Sequence, residues 1–154
     1  MADLTFTVTD ANVKTEMTKV CDMANKGLKS GEPVIVTLGR EGTSSLQDKC
    51  FHGMIGDMVK QVGLGHDKDV WKALLVSGFA KEKHEMGEPL RNGNKWVTSL
   101  CGTYMLCVRP SVKQFTKGAG SEFIEYLFAK GSEYGVKFDD KTLADYEHCR
   151  QANG

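Results

Sequence analysis

Apolar and polar positions alternate at the start of the chain. Leu4, Phe6 and Val8 are interleaved with Thr5, Thr7 and Thr9, which is the two-residue period of a half-buried strand. Asp10 then offers an N-cap. Val13, Met17, Val20, Cys21, Ala24 and Leu28 recur at helical spacing, and Gly27 with Ser30-Gly31 marks the end of that helix. Pro33 to Leu38 is an almost unbroken apolar run, so it reads as a strand buried on both faces. Strand, helix and strand together predict a small α/β layer.

The clearest helix start follows. Ser44 with Gln47 three residues on fits a capping box, in which the hydroxyl takes a backbone donor and the glutamine reaches back to the cap. Leu46, Cys50, Met54, Ile55, Met58 and Val62 then form one apolar stripe, leaving Lys49, His52, Asp57, Lys60 and Gln61 on other faces. Gly63-Leu64-Gly65 breaks the pattern, and Asp67 caps a helix carrying Val70, Trp71, Leu74, Leu75 and Phe79. Lys81 to Glu85 and the stretch from Gly87 to Asn94 read as a solvated, mobile loop.

Trp96-Val97 and Thr103 to Val108 predict a hairpin turning near Leu100-Cys101-Gly102. Lys113 to Gly120 reads as a basic connector, and Ser121 as the start of a helix with Phe123, Ile124, Leu127 and Phe128 on one side. Gly131 and Tyr134-Gly135 end it. Val136 to Phe138 is a short extended piece, and Asp139 or Asp140 caps a final helix, about 139–150, with Leu143, Tyr146 and Cys149. The fold class is therefore α+β: a small sheet with several packed helices, in one domain spanning 1–154.

Lys plus Arg and Asp plus Glu both number 20, which excludes a strongly basic histone-like protein. Any contact with nucleic acid must come from a local patch. Five cysteines without close metal-site spacing read as reduced, mostly buried thiols. The N-terminus lacks a charged region followed by an apolar run, and no segment is long enough to cross a bilayer, so the expected location is the cytoplasm.

Little here points to catalysis. Cys50-x-His52, His66-Asp67, His84 and His148-Cys149 have no specific ligand spacing, so no metal or other cofactor is expected. His52 and Asp57 are five apart, which does not bring two side chains together on a helix. Gly118-Ala119-Gly120 lacks the full phosphate-loop pattern, although a backbone phosphate next to Lys113 and Lys117 suits a helix start. Cations able to meet phosphates lie at Lys49 and Lys60, at Arg91 and Lys95 beside Trp96, and at Arg109, Lys113 and Lys117.

Several blocks in order resemble one family. They are Leu4-Thr5-Phe6, the Pro33-to-Thr37 run, Ser44 to Gln47 with Gly56-Asp57 and Gln61-Val62, and Trp71-Lys72. Ser111 with Phe115-Thr116-Lys117, then Glu122 to Glu125, then Gly131 to Phe138 complete the set. Over nearly its full length the chain is similar to the NinB family, also called Orf, of lambda-type phage recombination proteins.

The resemblance implies a non-enzymatic recombination mediator working as an intertwined homodimer. It implies binding of single-stranded DNA, and of duplex more weakly, association with the single-strand-binding protein, and help in loading a phage recombinase. DNA contacts are implied at a central cleft and the C-terminal helical region, with Lys49, Lys113, Lys117 and Arg150 as carried-over candidates and Gln47 beside them. Thr43, Asp48 and His52 stand where the family has Arg, Asn and Trp, which shifts the expected contacts toward Lys113, Lys117 and the C-terminal region. Two alternatives are a small metal-dependent nuclease using Asp48, His52 or Asp57, and a protein-only adaptor that never touches DNA.

Overall fold

The computed structural model describes residues 4–39 and 42–153. Met1 to Asp3, the head of the stretch read as lacking a leader, lie outside them. The described residues hold five α-helices and one two-stranded antiparallel sheet, the mixed α+β composition expected. None of these helices is long and apolar enough to cross a membrane. The chain divides into two compact units, Met1–Glu41 and Gly42–Gly154.

In the first unit α1 (Val13–Leu28) covers the predicted apolar positions but has a different cap. Asn12, not Asp10, is the N-cap, and its side chain turns back to accept from the Thr9 N–H at 2.6 Å. No residue of α1 is buried, contrary to the expected inward stripe. The two expected strands are also corrected: residues 4–9 and 33–39 form none, and Ile35 and Leu38 are 88% and 81% exposed. The apolar pattern supplies only half of what a strand needs. The other half is a neighbour to take its N–H and C=O groups, and these segments have none among the described residues. Within the unit, a Cβ on Gly27 would lie 2.7 Å from Val34 Cγ2, so glycine lets the extended segment cross the end of α1.

In the second unit α2 (Ser45–Gln61) begins on the predicted capping box, with both Ser44 and Gln47 side-chain bonds present. Cys50, Met54, Ile55 and Met58 are buried, as the stripe required. Gln61 closes the helix with a two-point clasp. Its Nε2 donates to the Lys137 carbonyl at 2.6 Å and its Oε1 accepts from the Lys137 N–H at 2.8 Å, so the side chain does for residues 136–138 what a strand would. The turn to α3 (Lys68–Glu85) takes positive φ at Gly63, Leu64 and Gly65, and the Trp71 indole pins it by donating to the Gly63 carbonyl at 2.8 Å.

Two boundaries differ from the sequence reading. Lys81 to Glu85 is helical, because alternating charge four apart supports a helix: Lys81 meets Glu85 at 2.7 Å. Further on, α4 (Lys117–Glu133) starts a turn earlier than Ser121, because Thr116 caps it by accepting from the Ala119 N–H at 3.1 Å. Gly118 to Gly120 thus lies inside a first helical turn.

The expected hairpin is present, with β1 (Lys95–Thr98) and β2 (Met105–Val108) paired in the register Trp96↔Cys107 and Val97↔Leu106. The last helix, α5 (Asp140–Asn153), is capped by Asp139, which accepts from the Thr142 N–H at 2.7 Å. It turns Thr142, Tyr146 and Cys149 inward and leaves Leu143 exposed. Of the cysteines only Cys50 and Cys149 are buried, where most were expected to be. At the centre Phe123 of α4 meets the rings of Phe51, Phe79, Phe115 and Tyr126 with centroids 5.1 to 6.3 Å away.

Candidate nucleic-acid interface

One lysine organises the first basic face. Lys83, near the end of α3, donates to Glu122 of α4 at 2.6 Å and to Glu88 of the following loop at 2.7 Å. Those hydrogen bonds, Glu122 first, hold the ammonium above its ordinary range, and Glu88 is held below its own by Lys83. The loop is therefore fastened to α4, and Arg91 comes to line an open recess of about 280 Å³ with Gln114, Thr116 and Gly118. A capping box, Ser111 with Gln114, shapes the 3-10 turn Val112–Gln114 on the other side. Lys113 on that turn is exposed, and Lys117 opens α4 half-buried. The fold so joins Arg91 to the connector, two candidates separate in sequence.

The other candidates lie elsewhere. Lys95 opens β1 next to Trp96, which is 68% exposed. Arg109 donates to the Pro110 carbonyl at 3.1 Å. Cys101, exposed at the hairpin turn, has its thiol brought down to about 7 by hydrogen bonds with the Ser99 and Thr103 hydroxyls. Arg150 sits 3.8 Å from Glu125 and 3.9 Å from Glu147, over the Tyr146 ring. Its charge is largely answered by carboxylates.

Gln47 is 1% exposed. Its Nε2 donates to the Lys117 carbonyl at 2.9 Å and to Ser121 Oγ at 3.0 Å, and its Oε1 accepts from the Ser44 N–H at 3.0 Å. This side chain ties the start of α2 to the start of α4. Beside it, two departures from the family pattern contact each other, the Thr43 hydroxyl donating to Asp48 at 2.8 Å.

Lys49 lies in a second recess, about 610 Å³, between α2, the start of α3 and the start of α5. Lys60, Lys68 and Lys141 also line it. The sequence signal for this site is faint: Lys60 lies off the apolar stripe, but Lys68 and Lys141 belong to other helices. His52, on the same wall, has its pKa lowered first by burial and then by Lys68 and Lys72. His52 and Asp57 share this recess, but Asp48 is turned to Thr43. Among the described residues no three His, Cys, Asp or Glu side chains are grouped to hold a metal.

The model of the family described as NinB protein matches residues 2–139. Protein ninB of Escherichia phage lambda is 24% identical over 114 residues, covering 72% of this chain and 70% of that protein. A solved NinB structure from structural genomics aligns with a TM-score of 0.50 over 98% of this chain and 99% of its own, at 20% identity, a likeness of fold. With the family matched from residue 2 to the start of the last helix, the chain belongs to the NinB family, phage accessory proteins of recombination.

Proposed function

We propose that this protein is a recombination mediator of the phage-infected bacterial cytoplasm that binds single-stranded DNA, contacts the single-strand-binding protein and helps to load a recombinase without catalysing a reaction. The observation that carries this reading is the Lys83 clamp, which brings Arg91 beside the Lys113–Lys117 connector. Arg91 on the recess and the exposed Lys113 of the adjoining turn suit a flexible phosphate chain, and the exposed Trp96 offers a face on which an unpaired base stacks. Stacking of that kind favours single strands over duplex.

Anisotropy titrations of labelled single-stranded and duplex oligonucleotides at two salt concentrations test this. The single strand binds more tightly and loses affinity steeply with salt, and Arg91→Glu with Lys113→Glu weakens it by about tenfold while flattening the salt slope by about two. No binding at low salt sinks the reading. Cleavage products in the same samples would favour the nuclease. Retention of the single-strand-binding protein after nuclease treatment, by a chain that ignores oligonucleotides, would favour the adaptor.

The homodimer is part of the same proposal. Residues 33–38 are mostly apolar and have no ladder partner among the described residues, and the β1–β2 hairpin presents Val97, Leu106 and Val108 to solvent on a two-stranded sheet. Surfaces of this kind are covered by added strands in an assembly. Sedimentation equilibrium should give twice the chain mass, and Ile35→Lys with Leu38→Lys should give monomer; a wild-type monomer at working concentrations refutes it.

A further inference from the structure

We infer, resting on the DNA-binding reading above, that Glu88 is a positioning residue for the single strand. Although anionic, it strengthens the hold on an anionic ligand, because together with Lys83 it keeps Arg91 in place.

The chain leaves α3 by a fixed path. Gly87 takes a φ of +79°, its N–H donates to the His84 carbonyl at 3.1 Å, and the Glu88 N–H donates to the Lys83 carbonyl at 3.0 Å, the paired bonds that close a helix on a left-handed glycine. The Glu88 side chain then turns back to accept from Lys83 Nζ at 2.7 Å, so these two residues are joined through main chain and side chain at once. Lys83 Nζ also reaches Glu122 of α4 at 2.6 Å. Beyond Glu88, Pro89 fixes one backbone angle and Leu90 packs against the core. Asn94 ties the far end to α3, its Nδ2 donating to the Ser77 carbonyl at 2.9 Å. Arg91 stands between these two anchors.

Exposure separates the roles. The Lys83 side chain is 12% exposed and its ammonium is shared by two carboxylates, so it is not placed to meet a phosphate. Arg91 is exposed on the same recess and is so placed. Lys83 and Arg91 are balanced there by Glu88 and Glu122, so the recess owes its hold on phosphate to where the charges stand and not to their sum.

Two effects of Glu88 oppose each other. Its charge repels phosphate, but that charge is already answered by Lys83 and acts across solvent that screens it within about 8 Å. Its bond to Lys83 holds the chain just before Arg91. Without that bond, ordering the loop at each binding event costs conformational entropy. Screening leaves the second effect the larger.

The test is an anisotropy titration of the full chain with a labelled oligothymidylate. Glu88→Ala removes a negative charge, so charge alone predicts tighter binding. The clamp predicts the opposite sign: a loss of about threefold, with a salt slope lower by about one as Arg91 leaves its phosphate. In an Arg91→Ala background the same substitution should weaken nothing, since Glu88 acts through Arg91. Lys83→Met should lose at least as much as Glu88→Ala, whereas Lys83→Arg, which keeps both ion pairs, should bind within about twofold of wild type. The Glu88 side chain is 69% exposed, so the unfolding midpoint of Glu88→Ala should match wild type.

Tighter or unchanged binding by Glu88→Ala overturns the inference and leaves the DNA reading standing, as does an equal loss in the Arg91→Ala background. A wild-type chain that ignores the oligonucleotide at low salt overturns the DNA reading, and the role of Glu88 with it.

Discussion

Phe123→Ala is expected to cost about 3–5 kcal/mol of unfolding free energy, a large part of what a domain of this size possesses. Phe123 is fully buried, and four aromatic rings close around it: Phe51 edge-on, Phe79 tilted, Phe115 edge-on and Tyr126 stacked. Truncation removes the transfer energy of the ring and leaves a cavity that these rigid neighbours, drawn from α2, α3, α4 and the Phe115 turn, do not fill by relaxing. Phe123→Leu keeps most of the volume and should cost about 1.5 kcal/mol. The measurement is denaturant unfolding with a constant m-value. A loss of less than about 1 kcal/mol for the alanine variant would contradict the packing of this cluster.

Which parts of this architecture are legible from sequence follows from how local each determinant is. The start of α2 is readable because a capping box lies within four residues, and its stripe because burial repeats every turn. The end of α3 and the start of α4 each differ from the sequence reading by about a turn. A charge-rich helix end looks like a loop, and Ser121 fits the pattern of a cap as well as Thr116 does. Residues 4–9 and 33–38 carry strand patterns with no strand to join among the described residues, and no local pattern names a partner.

The basic faces show the same division. Lys113 and Lys117 are visible as neighbours in one connector. That Arg91 joins them depends on Lys83 bridging a loop to another helix, a tertiary ion pair that sequence spacing does not encode. The recess between α2, α3 and α5 is less visible still, since the lysines that line it come from three helices.

Gln47 separates folding from binding most sharply, because its position in the motif order suggests a DNA contact. Gln47→Ala is expected to lower stability by about 2–3 kcal/mol: it strands the Ser44 N–H, removes two bonds to α4 and opens a gap in a buried site. The site has no slack to absorb the change. A Cβ on Gly120 would lie 3.0 Å from the Gln47 Oε1 and 2.9 Å from Thr43 Cγ2. Gln47→Glu keeps the shape but turns the donor toward the Lys117 carbonyl into an acceptor, so it should be at least as damaging. Both variants, assayed where they remain folded, should bind single-stranded DNA as tightly as wild type. A Gln47→Ala protein with wild-type unfolding and lost DNA affinity would instead make this side chain a contact, and would require the start of α2 to open when DNA binds. The Thr43–Asp48 pair bears on the same choice: a hydroxyl donating to a carboxylate at 2.8 Å presents negative charge where the family pattern has Arg and Asn. On the proposed DNA-binding reading, phosphate is repelled there, and the cations of Arg91 and Lys113 are left to hold it.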